Sequence, residues 1–448
     1  MKITIIGGVA AGMSAASKAS RMGKDLEIAV YEKTDVLSYG ACGMPYYVGD
    51  FFQDPSMMIA RTKEEFEEQG IKINIFHEVL KVSPEKKVIT VKNLKTGEIF
   101  EDSCDKLMIA TGARAFIPPI KNADAANVFT LKDFQDALDV KKVVMKDENE
   151  NIIIVGGGYI GLETAEAMVN INKKSIRILQ FAERILDKTF DKEMTDIMEE
   201  EIKSYKNVSL HIMERLDEIL TDENGKTIGV KTNKGEYPAD VVIIAAGIKP
   251  NTEFLEDTGI KMLKNGALII NSKGETSVKD IYSAGDCASV YHKVRKENMS
   301  IALATTANKI GRIVGENMAG GNKDFPGTLG SAAIKVMKLE AGRTGIGEGE
   351  AKELNLNYDI VFIKGKNQTS YYPGGSDLYV KLIYNRDTRV ILGGQIVGRK
   401  GAVLRVDALA VAVDREMTVD DLALMDFCYA PPFSRTRDIL NDAAGIAK

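Results

Sequence analysis

The stretch KITIIGGVAAGMSAA at residues 2–16 decides the fold of this 448-residue chain. It begins with an apolar run of strand length, continues into a glycine turn and then opens a helix with small residues. The stretch NIIIVGGGYIGLETA at residues 151–165 repeats the same unit. We therefore expect two copies of one strand, turn and helix unit in the chain.

The glycines of both turns match the motif that holds the pyrophosphate of a dinucleotide. The second copy has a complete GxGxxG pattern, formed by Gly156, Gly158 and Gly161. The first copy keeps Gly7 and Gly12 at the outer positions, but Val9 replaces the middle glycine and Gly8 lies beside it. Such glycines allow a tight turn, close approach of the backbone to pyrophosphate and close helix packing, while the helix N-terminus faces the phosphate charge. Two dinucleotide-binding folds are implied.

The strand after each turn ends where an adenosine ribose would bind. Glu32 lies about twenty residues past Gly12, where an acidic side chain accepts a hydrogen bond from a ribose hydroxyl. The equivalent strand of the second copy ends in Gln180, which is neither the acidic residue of NAD preference nor an arginine. The choice between NADH and NADPH stays open. Arg184 is a candidate contact for a 2′-phosphate, with a solvated surface arginine as the alternative.

Three further segments extend the pattern to a flavoprotein. KLMIATGARAFIPPI at residues 106–120 and VVIIAAGIKPNT at residues 241–252 are each a buried strand followed by a turn and a proline. They predict two crossovers of the chain between domains. DIYSAGDCA at residues 280–288 places Asp286 after a glycine at a strand end, where a carboxylate can bind the polyol hydroxyls of a flavin.

With these five separated motifs in order, the chain resembles the pyridine nucleotide-disulfide oxidoreductase superfamily over essentially its whole length. The resemblance implies an α/β fold of the glutathione-reductase type. It has two Rossmann-like three-layer nucleotide-binding domains, the first for FAD and the inserted second for NADH or NADPH, and an α+β C-terminal dimerisation domain. The expected domains are 1–113 with 253–322 for FAD, 114–252 for NAD(P)H and 323–448 for dimerisation.

The resemblance also implies which residues bind the two cofactors. Tyr159 is similar to a gate that covers the flavin until nicotinamide displaces it, and Glu163 to a neighbour of the nicotinamide. Both could instead be ordinary packing at the start of a helix. The complete implied set is Gly7, Gly8, Ala11, Gly12, Glu32, Lys33, Val79, Thr111, Gly112, Gly156, Gly158, Tyr159, Ile160, Gly161, Glu163, Gln180, Gly247, Asp286 and Ala304.

Cys42, in the stretch SYGACGMPYY at residues 38–47, is a candidate redox cysteine that works alone. Tyr47 stands where a CxxxxC motif would place the second thiol. A lone thiol beside an electron source can store electrons only as a sulfenic acid, a persulfide or a mixed disulfide with a small thiol. The alternative is that Cys42 is a small buried hydrophobic residue, as most free cysteines are.

The C-terminal third distinguishes the branches of the superfamily. It contains none of the three histidines, so the histidine acid of glutathione-reductase-like members is missing. Ala10 and Ala11 occupy the region where NADH peroxidases and water-forming oxidases typically carry a histidine. The stretches YYPGG at residues 371–375 and CYAPPFSRTRD at residues 428–438 resemble the coenzyme A-disulfide reductase branch, including its persulfide-reducing relatives. By that resemblance Tyr371 and Tyr429 are catalytic and protonate or stabilise the departing thiolate from the other subunit of a dimer. Otherwise both tyrosines pack at an interface.

Coenzyme A is a polyanion, and the first helix offers cations for it. Ser14, Lys18 and Arg21 share one stripe, while Ala15, Ala16, Ala19 and Met22 are expected to pack inward. A solvated helix face is the alternative. The resemblance implies substrate contacts at Ser14, Lys18, Arg21, Ser38, Asn308, Tyr371, Tyr429 and Arg437. Two departures weaken CoA specificity: Ala41 replaces an asparagine before the cysteine, and the loop near Gln69 and Gly70 lacks a lysine.

Composition excludes several other functions. A net charge of -5 and a pI near 5.6 give no footprint for nucleic acid or an anionic membrane. No apolar run spans a bilayer and the chain begins directly with a strand, so we expect a cytoplasmic protein. The four cysteines are too scattered for a disulfide framework or a metal site. Cys104 and Cys287 are expected to be structural, and Cys428 adjoins Tyr429. No sulfurtransferase-like domain is appended, so a persulfide would arrive by diffusion or from another protein.

The sequence thus predicts a homodimeric FAD enzyme that passes electrons from NAD(P)H through Cys42 to CoA disulfide or CoA persulfide, with CoA as a mixed disulfide on Cys42. One alternative is an NADH oxidase that reduces O2 to H2O2 or water through FAD and a Cys42 sulfenic acid. A third possibility is a redox-sensing or structural flavoprotein that turns over slowly.

Overall fold

The first nucleotide unit is built on the glycine stretch at residues 2–16. The computed structural model describes residues 1–23 and 25–448 of the chain. The N-terminal part of this unit contains β1 (Lys2–Ile6), α1 (Ala10–Ser20), β2 (Glu27–Glu32), α2 (Met44–Val48), α3 (Lys63–Glu67), β3 (Ile71–Ile75), β4 (His77–Ser83), β5 (Val88–Asn93), β6 (Ile99–Ser103) and β7 (Lys106–Ile109).

The second nucleotide unit is inserted after the first crossover. Its elements are β8 (Ala113–Ala115), β9 (Val128–Thr130), α4 (Phe134–Val144), β10 (Asn151–Val155), α5 (Tyr159–Asn170), β11 (Ser175–Gln180), α6 (Lys192–Lys203), β12 (Val208–Ile212), β13 (Leu216–Thr221), β14 (Thr227–Thr232), β15 (Glu236–Pro238), β16 (Val241–Ile244) and β17 (Ile248–Pro250). The short strands β8 and β17 pair with each other in antiparallel register. The two predicted crossovers are therefore confirmed, and they form one connector between the units.

The chain then returns to the first unit and ends in a C-terminal unit. The return contributes β18 (Ile281–Ser283), β19 (Val290–His292), β20 (Glu297–Met299) and α7 (Ala304–Met318). The C-terminal unit contains β21 (Ala332–Val336), β22 (Leu339–Gly345), α8 (Glu348–Glu353), β23 (Tyr358–Lys366), β24 (Asp377–Asn385), β25 (Ile391–Gly398), α9 (Ala402–Asp414), α10 (Val419–Ala423) and α11 (Ile439–Gly445).

Each nucleotide unit has the three-layer plan that the sequence predicts. The first has a five-stranded parallel sheet in the order β18-β7-β1-β2-β3 and a three-stranded sheet of β4, β5 and β6. One core cluster fills the side of α1 and α7, and another fills the side of the small sheet. The second unit repeats this plan with the order β12-β11-β10-β16-β9 and the sheet of β13, β14 and β15.

The C-terminal unit is an antiparallel sheet in the order β21-β22-β25-β24-β23, packed against α9 and α11. The predicted fold class is confirmed. Several large apolar side chains of this unit stay exposed in the single chain, among them Leu404, Val411, Leu424, Tyr371 and Phe433. Exposed apolar area of this kind is typical of a surface that another protein covers.

A buried ion network fixes the second nucleotide unit against the C-terminal unit. Lys381 on β24 is completely buried, and its Nζ donates to Glu193 Oε2 at 2.9 Å and to Glu348 Oε2 at 2.7 Å. Glu193 belongs to α6 and Glu348 to α8. Lys381 thus joins an acidic residue of each unit, and its removal would leave these carboxylates without their shared cation.

Helix α1 ends two residues before Met22, the last residue of its predicted inward-facing set. Ala15, Ala16 and Ala19 are buried as expected. The helix ends at Ser20, however, and Met22 is 44% exposed, so its predicted inward packing is wrong. Among the described residues, no helix is both long and apolar enough to cross a bilayer.

Candidate active site

A single cleft of about 1650 Å³ runs between the two nucleotide units. It lies at the carboxyl ends of their parallel strands, where open α/β sheets bind ligands. Of the predicted cofactor positions, those that line it are Gly7, Ala11, Glu32, Lys33, Val79, Thr111, Gly112, Gly156, Gly158, Tyr159, Ile160, Glu163, Gln180, Gly247, Asp286 and Ala304. Gly8, Gly12 and Gly161 do not line the cleft and shape the turns beneath it. The volume exceeds that of an ordinary ligand pocket and suits two dinucleotides.

The first glycine turn presents a helix N-terminus to the cleft. Gly7 has φ +107°, and a Cβ there would lie 2.2 Å from the carbonyl oxygen of Ala110. Val9, the N-cap of α1, makes no side-chain capping hydrogen bond, and the cleft is lined by Val9 and the first residues of the helix. The free N–H groups of this turn therefore suit a pyrophosphate.

Glu32 is held at the end of β2 with its carboxylate fixed. It is 7% exposed and lines the cleft. Its Oε2 accepts from the backbone N–H of Gly8 at 2.7 Å, and its Oε1 accepts from the N–H of Thr34 at 2.9 Å. The residues of this half of the cleft thus fit FAD, with the carboxylate in place to accept from the adenosine ribose.

The second glycine turn has no side chain at Gly158, the position at which the first turn carries Val9. A Cβ at Gly158 would meet no heavy atom within 4 Å. Gln180 Oε1 accepts from the N–H of Gly157 at 2.9 Å, and its Nε2 donates to the carbonyl of Arg184 at 3.0 Å. Gln180 therefore braces the turn much as Glu32 does, but without a charge.

The candidate role of Arg184 in binding a 2′-phosphate is wrong. Its guanidinium donates to the backbone carbonyls of Phe190 and, at 2.9 Å, of Asp187, so it ties down the loop after β11. The cations that line the cleft near Gln180 are Lys188 and Arg215. Sequence reasoning missed both because neither lies in the glycine motif or at the end of β11.

Cys42 lies on the wall of this cleft. It sits in the short turn Ala41–Gly43, directly before α2, and it is exposed. The alternative reading of Cys42 as a buried hydrophobic residue is therefore wrong. Partial burial by the surrounding cleft wall raises the pKa of the Cys42 thiol. The carboxylates of Glu163 and Asp286 raise the pKa further, and Lys132 opposes them.

Glu163 faces the cleft from the first turns of α5. Glu166, one turn further along, forms an ion pair with Lys335. In the described part of the chain, no hydrogen bond or ion pair joins the carboxyl group of Glu163 to another residue. Burial and the charge of Glu166 raise the pKa of Glu163 to about 7. Glu163 is therefore a carboxyl group that can gain or lose a proton near neutral pH beside Cys42.

Asp286 is paired across the cleft with a residue that sequence reasoning missed. Lys132 Nζ donates to Asp286 Oδ2 at 3.2 Å, and both residues line the cleft. Lys132 comes two residues after β9, at the carboxyl end of a parallel strand, and this position is the signal that could have identified it. The pair joins the two nucleotide units where a flavin is expected.

Tyr159 lies at the N-terminus of α5 and lines the cleft. Its hydroxyl is buried and has no hydrogen-bond partner among the described residues. Burial raises the pKa of this phenol. An unpartnered buried hydroxyl is costly in a rigid position, so this side chain is suited to move when a ligand enters.

Tyr371 and Tyr429 are brought together, but not at the cleft of their own chain. Their hydroxyl oxygens are 3.3 Å apart, although the residues are far apart in sequence. Both are exposed, and neither appears on the wall of the cleft. The hydrogen bond to Tyr429 raises the pKa of Tyr371.

The predicted substrate residues other than the two tyrosines lie on or near α1, in the loop before Cys42 and, for Arg437 alone, in the C-terminal unit. Ser14 Oγ donates to Asn308 Oδ1 at 2.8 Å, and Lys18 pairs with Glu316 of α7 at 3.0 Å. Arg21 is exposed just past the end of α1. Ser38 lies in the loop before Cys42 with φ +49°. Arg437 is remote from these contacts and pairs with Asp442 at 3.0 Å.

The remaining cysteines take no part in the cleft. Cys104 and Cys287 are buried, as expected for structural residues, and Cys428 is exposed beside Tyr429. In the described residues, no group of three or more His, Cys, Asp or Glu side chains could hold a metal ion.

Two dinucleotide folds that share a cleft, with one open thiol on its wall, define a flavoprotein reductase driven by a pyridine nucleotide. The model of the pyridine nucleotide-disulphide oxidoreductase family matches residues 1–311. The model of the dimerisation domain of that family matches residues 331–439, which indicates a homodimer. The chain belongs to the pyridine nucleotide-disulphide oxidoreductase family, whose members bind FAD and NAD(P)H.

Individual relatives narrow the group. The CoA-dependent NAD(P)H sulfur oxidoreductase of Pyrococcus furiosus is 37% identical over 448 residues, covering 100% of this chain and 99% of that protein. An NADH oxidase of Enterococcus faecalis is 33% identical over 447 residues, covering 100% of this chain and 99% of that protein. The solved structure of an NAD-dependent persulfide reductase from A. fulgidus has a TM-score of 0.95 and 32% identity, covering 100% of this chain and 83% of that one.

Further full-length relatives at about 31 to 38% identity are CoA disulfide reductases and NAD(P)H CoA persulfide reductases. The chain is an FAD- and NAD(P)H-dependent disulfide oxidoreductase of this group.

Proposed function

We propose that this enzyme reduces CoA disulfide or CoA persulfide with NAD(P)H through Cys42. The observation that carries the proposal is a single open thiol on the wall of a cleft between two dinucleotide folds. The other cysteines of the chain are buried or lie away from the cleft. Cys42 can therefore hold an oxidising equivalent only together with an external group, and a mixed disulfide with a small thiol is the form that suits a disulfide substrate.

The sulfur chemistry belongs to Cys42. Its thiolate attacks one sulfur of CoA disulfide, so that a Cys42–CoA disulfide forms, the substrate S–S bond breaks and one CoA thiolate leaves. FAD, which the first glycine turn and Glu32 would hold, would supply the two electrons of NAD(P)H for reduction of that mixed disulfide. Cleavage of the mixed disulfide returns the Cys42 thiolate and releases the second CoA. The sum is CoA disulfide, NAD(P)H and one proton converted to two CoA thiols and NAD(P)+.

The departing thiolate needs a proton. Of the three histidines, all in the described part of the chain, only His77 lines the cleft, and it lies at the start of β4 in the first unit. We assign this role to the Tyr371 and Tyr429 pair of the partner subunit. Three observations support the assignment: the hydroxyls are 3.3 Å apart, both side chains are exposed, and apolar side chains of the C-terminal unit lie open around them. A phenol that donates a hydrogen bond to a developing thiolate stabilises it.

Substitution of the thiol tests the proposal. Cys42→Ser should bind FAD and accept electrons from NADH, yet reduce CoA disulfide at least 1,000-fold more slowly, on the order expected for loss of a nucleophile. Cys104→Ser, at a buried cysteine that does not line the cleft, is the matched control and should keep full activity. Disulfide reduction that survives in Cys42→Ser would overturn the proposal.

Reduction of O2 is the second candidate, favoured by the relationship to the NADH oxidase of E. faecalis. Mass spectrometry of the intact, non-reduced protein separates the two. One CoA added to Cys42 supports the disulfide reductase, whereas one added oxygen supports an oxidase with a sulfenic acid. Oxygen consumption as fast as disulfide reduction would favour the oxidase as well.

A further inference from the structure

Arg61 lies against the polar stripe of α1, outside the residues that the family resemblance implies. Its Nη1 donates to Ser17 Oγ at 3.2 Å. Ser17 is a buried residue of α1, three residues after Ser14 and four before Arg21, so it lies on the same side of the helix as both. The hydrogen bond to Ser17 thus holds the guanidinium of Arg61 against the side of α1 that carries Ser14 and Arg21.

The guanidinium of Arg61 is positioned but not neutralised. It stacks on the buried ring of Phe66, 4.3 Å from the ring centroid. The loop that carries it is fixed by a capping box between Thr62 and Glu65. Among the residues that the structure describes, no carboxylate pairs with Arg61, and its Nη2 has only a 3.4 Å contact with the carbonyl of Glu65. An arginine stacked on an aromatic ring with free N–H groups is suited to bind phosphate.

The segment of Arg61 is also joined to the loop of the reactive thiol. The N–H of Ala60 donates to the carbonyl of Ser38 at 2.9 Å, and the N–H of Gly40 donates to the carbonyl of Met58 at 2.8 Å. Arg61 thus follows directly on a backbone segment that is hydrogen-bonded to the residues before Cys42. These two hydrogen bonds place the segment before Arg61 alongside the segment before Cys42.

The loop at Gln69 and Gly70 lies beside the end of α1 and lacks a lysine. Ser20 Oγ donates to the carbonyl of Gln69 at 2.8 Å, so the loop at Gln69 and Gly70 packs against the end of α1 without contributing a cation. Lys18 is already paired with Glu316. Arg61 is therefore needed if this surface is to bind a substrate with several phosphate charges.

We propose that Arg61 is a specificity-determining residue that binds the nucleotide phosphates of the thiol substrate together with Lys18 and Arg21. The proposal rests on the proposed function and names a feature of its substrate, a small thiol that carries phosphates at the end remote from the sulfur. The guanidinium makes paired hydrogen bonds to a phosphate, which an ammonium group cannot make.

The test compares two disulfides that differ in their phosphates. Arg61→Ala should raise KM for CoA disulfide about tenfold or more, as expected for loss of a hydrogen bond to a charged group, with kcat unchanged. KM for pantetheine disulfide, which lacks the nucleotide, should not change. Arg61→Lys should show an intermediate KM. The matched control is Lys63→Ala, which removes a nearby cation already paired with Glu67 at 2.8 Å and should leave both KM values unchanged.

A binding measurement on the FAD-loaded enzyme gives a readout that does not depend on turnover. Adenosine 3′,5′-bisphosphate carries phosphates but no thiol, and its affinity should fall about tenfold in Arg61→Ala and less in Arg61→Lys. An unchanged affinity and an unchanged KM would overturn the role of Arg61 while the proposed function stands. Equal rises in KM for both disulfides would also overturn it, because Arg61 would then act on the thiol loop. Failure of the unsubstituted enzyme to reduce CoA disulfide would instead overturn the proposed function.

Discussion

The first and second nucleotide units can be compared residue by residue at their glycine turns. Strand β1 pairs with β2 from Lys2 and Glu27 onward, and β10 pairs with β11 from Asn151 and Ser175 onward, in the same parallel register. The third glycine of each motif fits equally tightly. A Cβ on Gly12 would lie 1.9 Å from the Gly7 carbonyl oxygen, and one on Gly161 would lie 2.0 Å from that of Gly156. Both turns therefore need glycine at this position for the same steric reason.

The side chains around these turns are different. Three equivalent positions hold Glu32, Val9 and Ser14 in the first unit and Gln180, Gly158 and Glu163 in the second. In the first unit, the carboxylate of Glu32 is held at the ribose position by a hydrogen bond from Gly8, and the hydroxyl of Ser14 on α1 donates to Asn308. The second has a neutral amide, an open turn and an unpaired carboxyl that faces Cys42. The comparison teaches that the glycines specify a dinucleotide fold, whereas the residues beside them specify its charge and its chemistry.

The largest expected effect comes from the positions where the two units agree. Gly12→Ala should destabilise the protein by about 3 kcal/mol or more, because the new methyl group overlaps a backbone oxygen that cannot move aside. Loss of bound flavin absorbance and a lower Tm are the measurements. Gly158→Ala is the matched control, since its methyl group meets no protein atom and its φ is -86°. It should keep FAD and the Tm but raise KM for NAD(P)H. A flavin-replete Gly12→Ala protein would contradict the steric argument.

The shared features are the part that could be predicted from sequence. Glycine turns, the strand-end residue Glu32 and the paired crossovers are set by contacts within short segments or by repeated patterns. The partner of Asp286 could not be predicted, because Lys132 is 154 residues away in sequence. The candidate contact of Arg184 with a 2′-phosphate is wrong for a related reason. Its guanidinium donates to backbone carbonyls of its own loop, and a pattern of side-chain types does not predict such bonds.

The candidate site also contains features that the sequence predicts and features that it does not. Cys42 and its lack of a second thiol are evident in the sequence. The raised pKa of Glu163 is not, because it depends on burial and on the charge of Glu166, whose partner Lys335 lies 169 residues away in sequence. Both the burial and this ion pair follow from packing between units.

The second prediction concerns the carboxyl group of Glu163, at a position where the two units differ in charge. The pKa of Glu163 is about 7, above its ordinary value of 4.5, so the folded state favours the protonated form. Ionised Glu163 therefore destabilises the folded state. This loss of stability is absent below pH 4.5, grows as the pH rises and is complete above pH 7. Glu163→Gln should therefore stabilise the enzyme at pH 8 by on the order of 1 to 3 kcal/mol, with no gain at pH 4.5. Thermal unfolding of the FAD-bound enzyme at both pH values is the measurement.

The same variant should change the thiol. Because the charge of Glu163 raises the pKa of Cys42, its removal should move the alkylation of Cys42 by iodoacetamide to lower pH. Glu166→Gln is the contrasting variant. Burial raises the pKa of Glu166 and Lys335 lowers it, so removal of this carboxylate together with its ion pair should stabilise the enzyme at pH 8 less than Glu163→Gln does. If Glu163→Gln gave the same gain in stability at both pH values, titration of Glu163 would not be its cause.

The smallest effect comes from making the second unit resemble the first at the ribose position. Gln180→Glu should keep the bond from the Gly157 N–H, as Glu32 does for Gly8. The added carboxylate accepts from a ribose hydroxyl and repels a 2′-phosphate, so the ratio of kcat/KM for NADH over NADPH should rise about tenfold. Gln180→Met removes the amide without adding charge and should leave that ratio unchanged. Lys188 and Arg215 lie close enough to the cleft to offset part of the new charge. A larger change in coenzyme preference from Lys188→Ala than from Gln180→Glu would place the selection of the coenzyme in the loop after β11 rather than at the strand end.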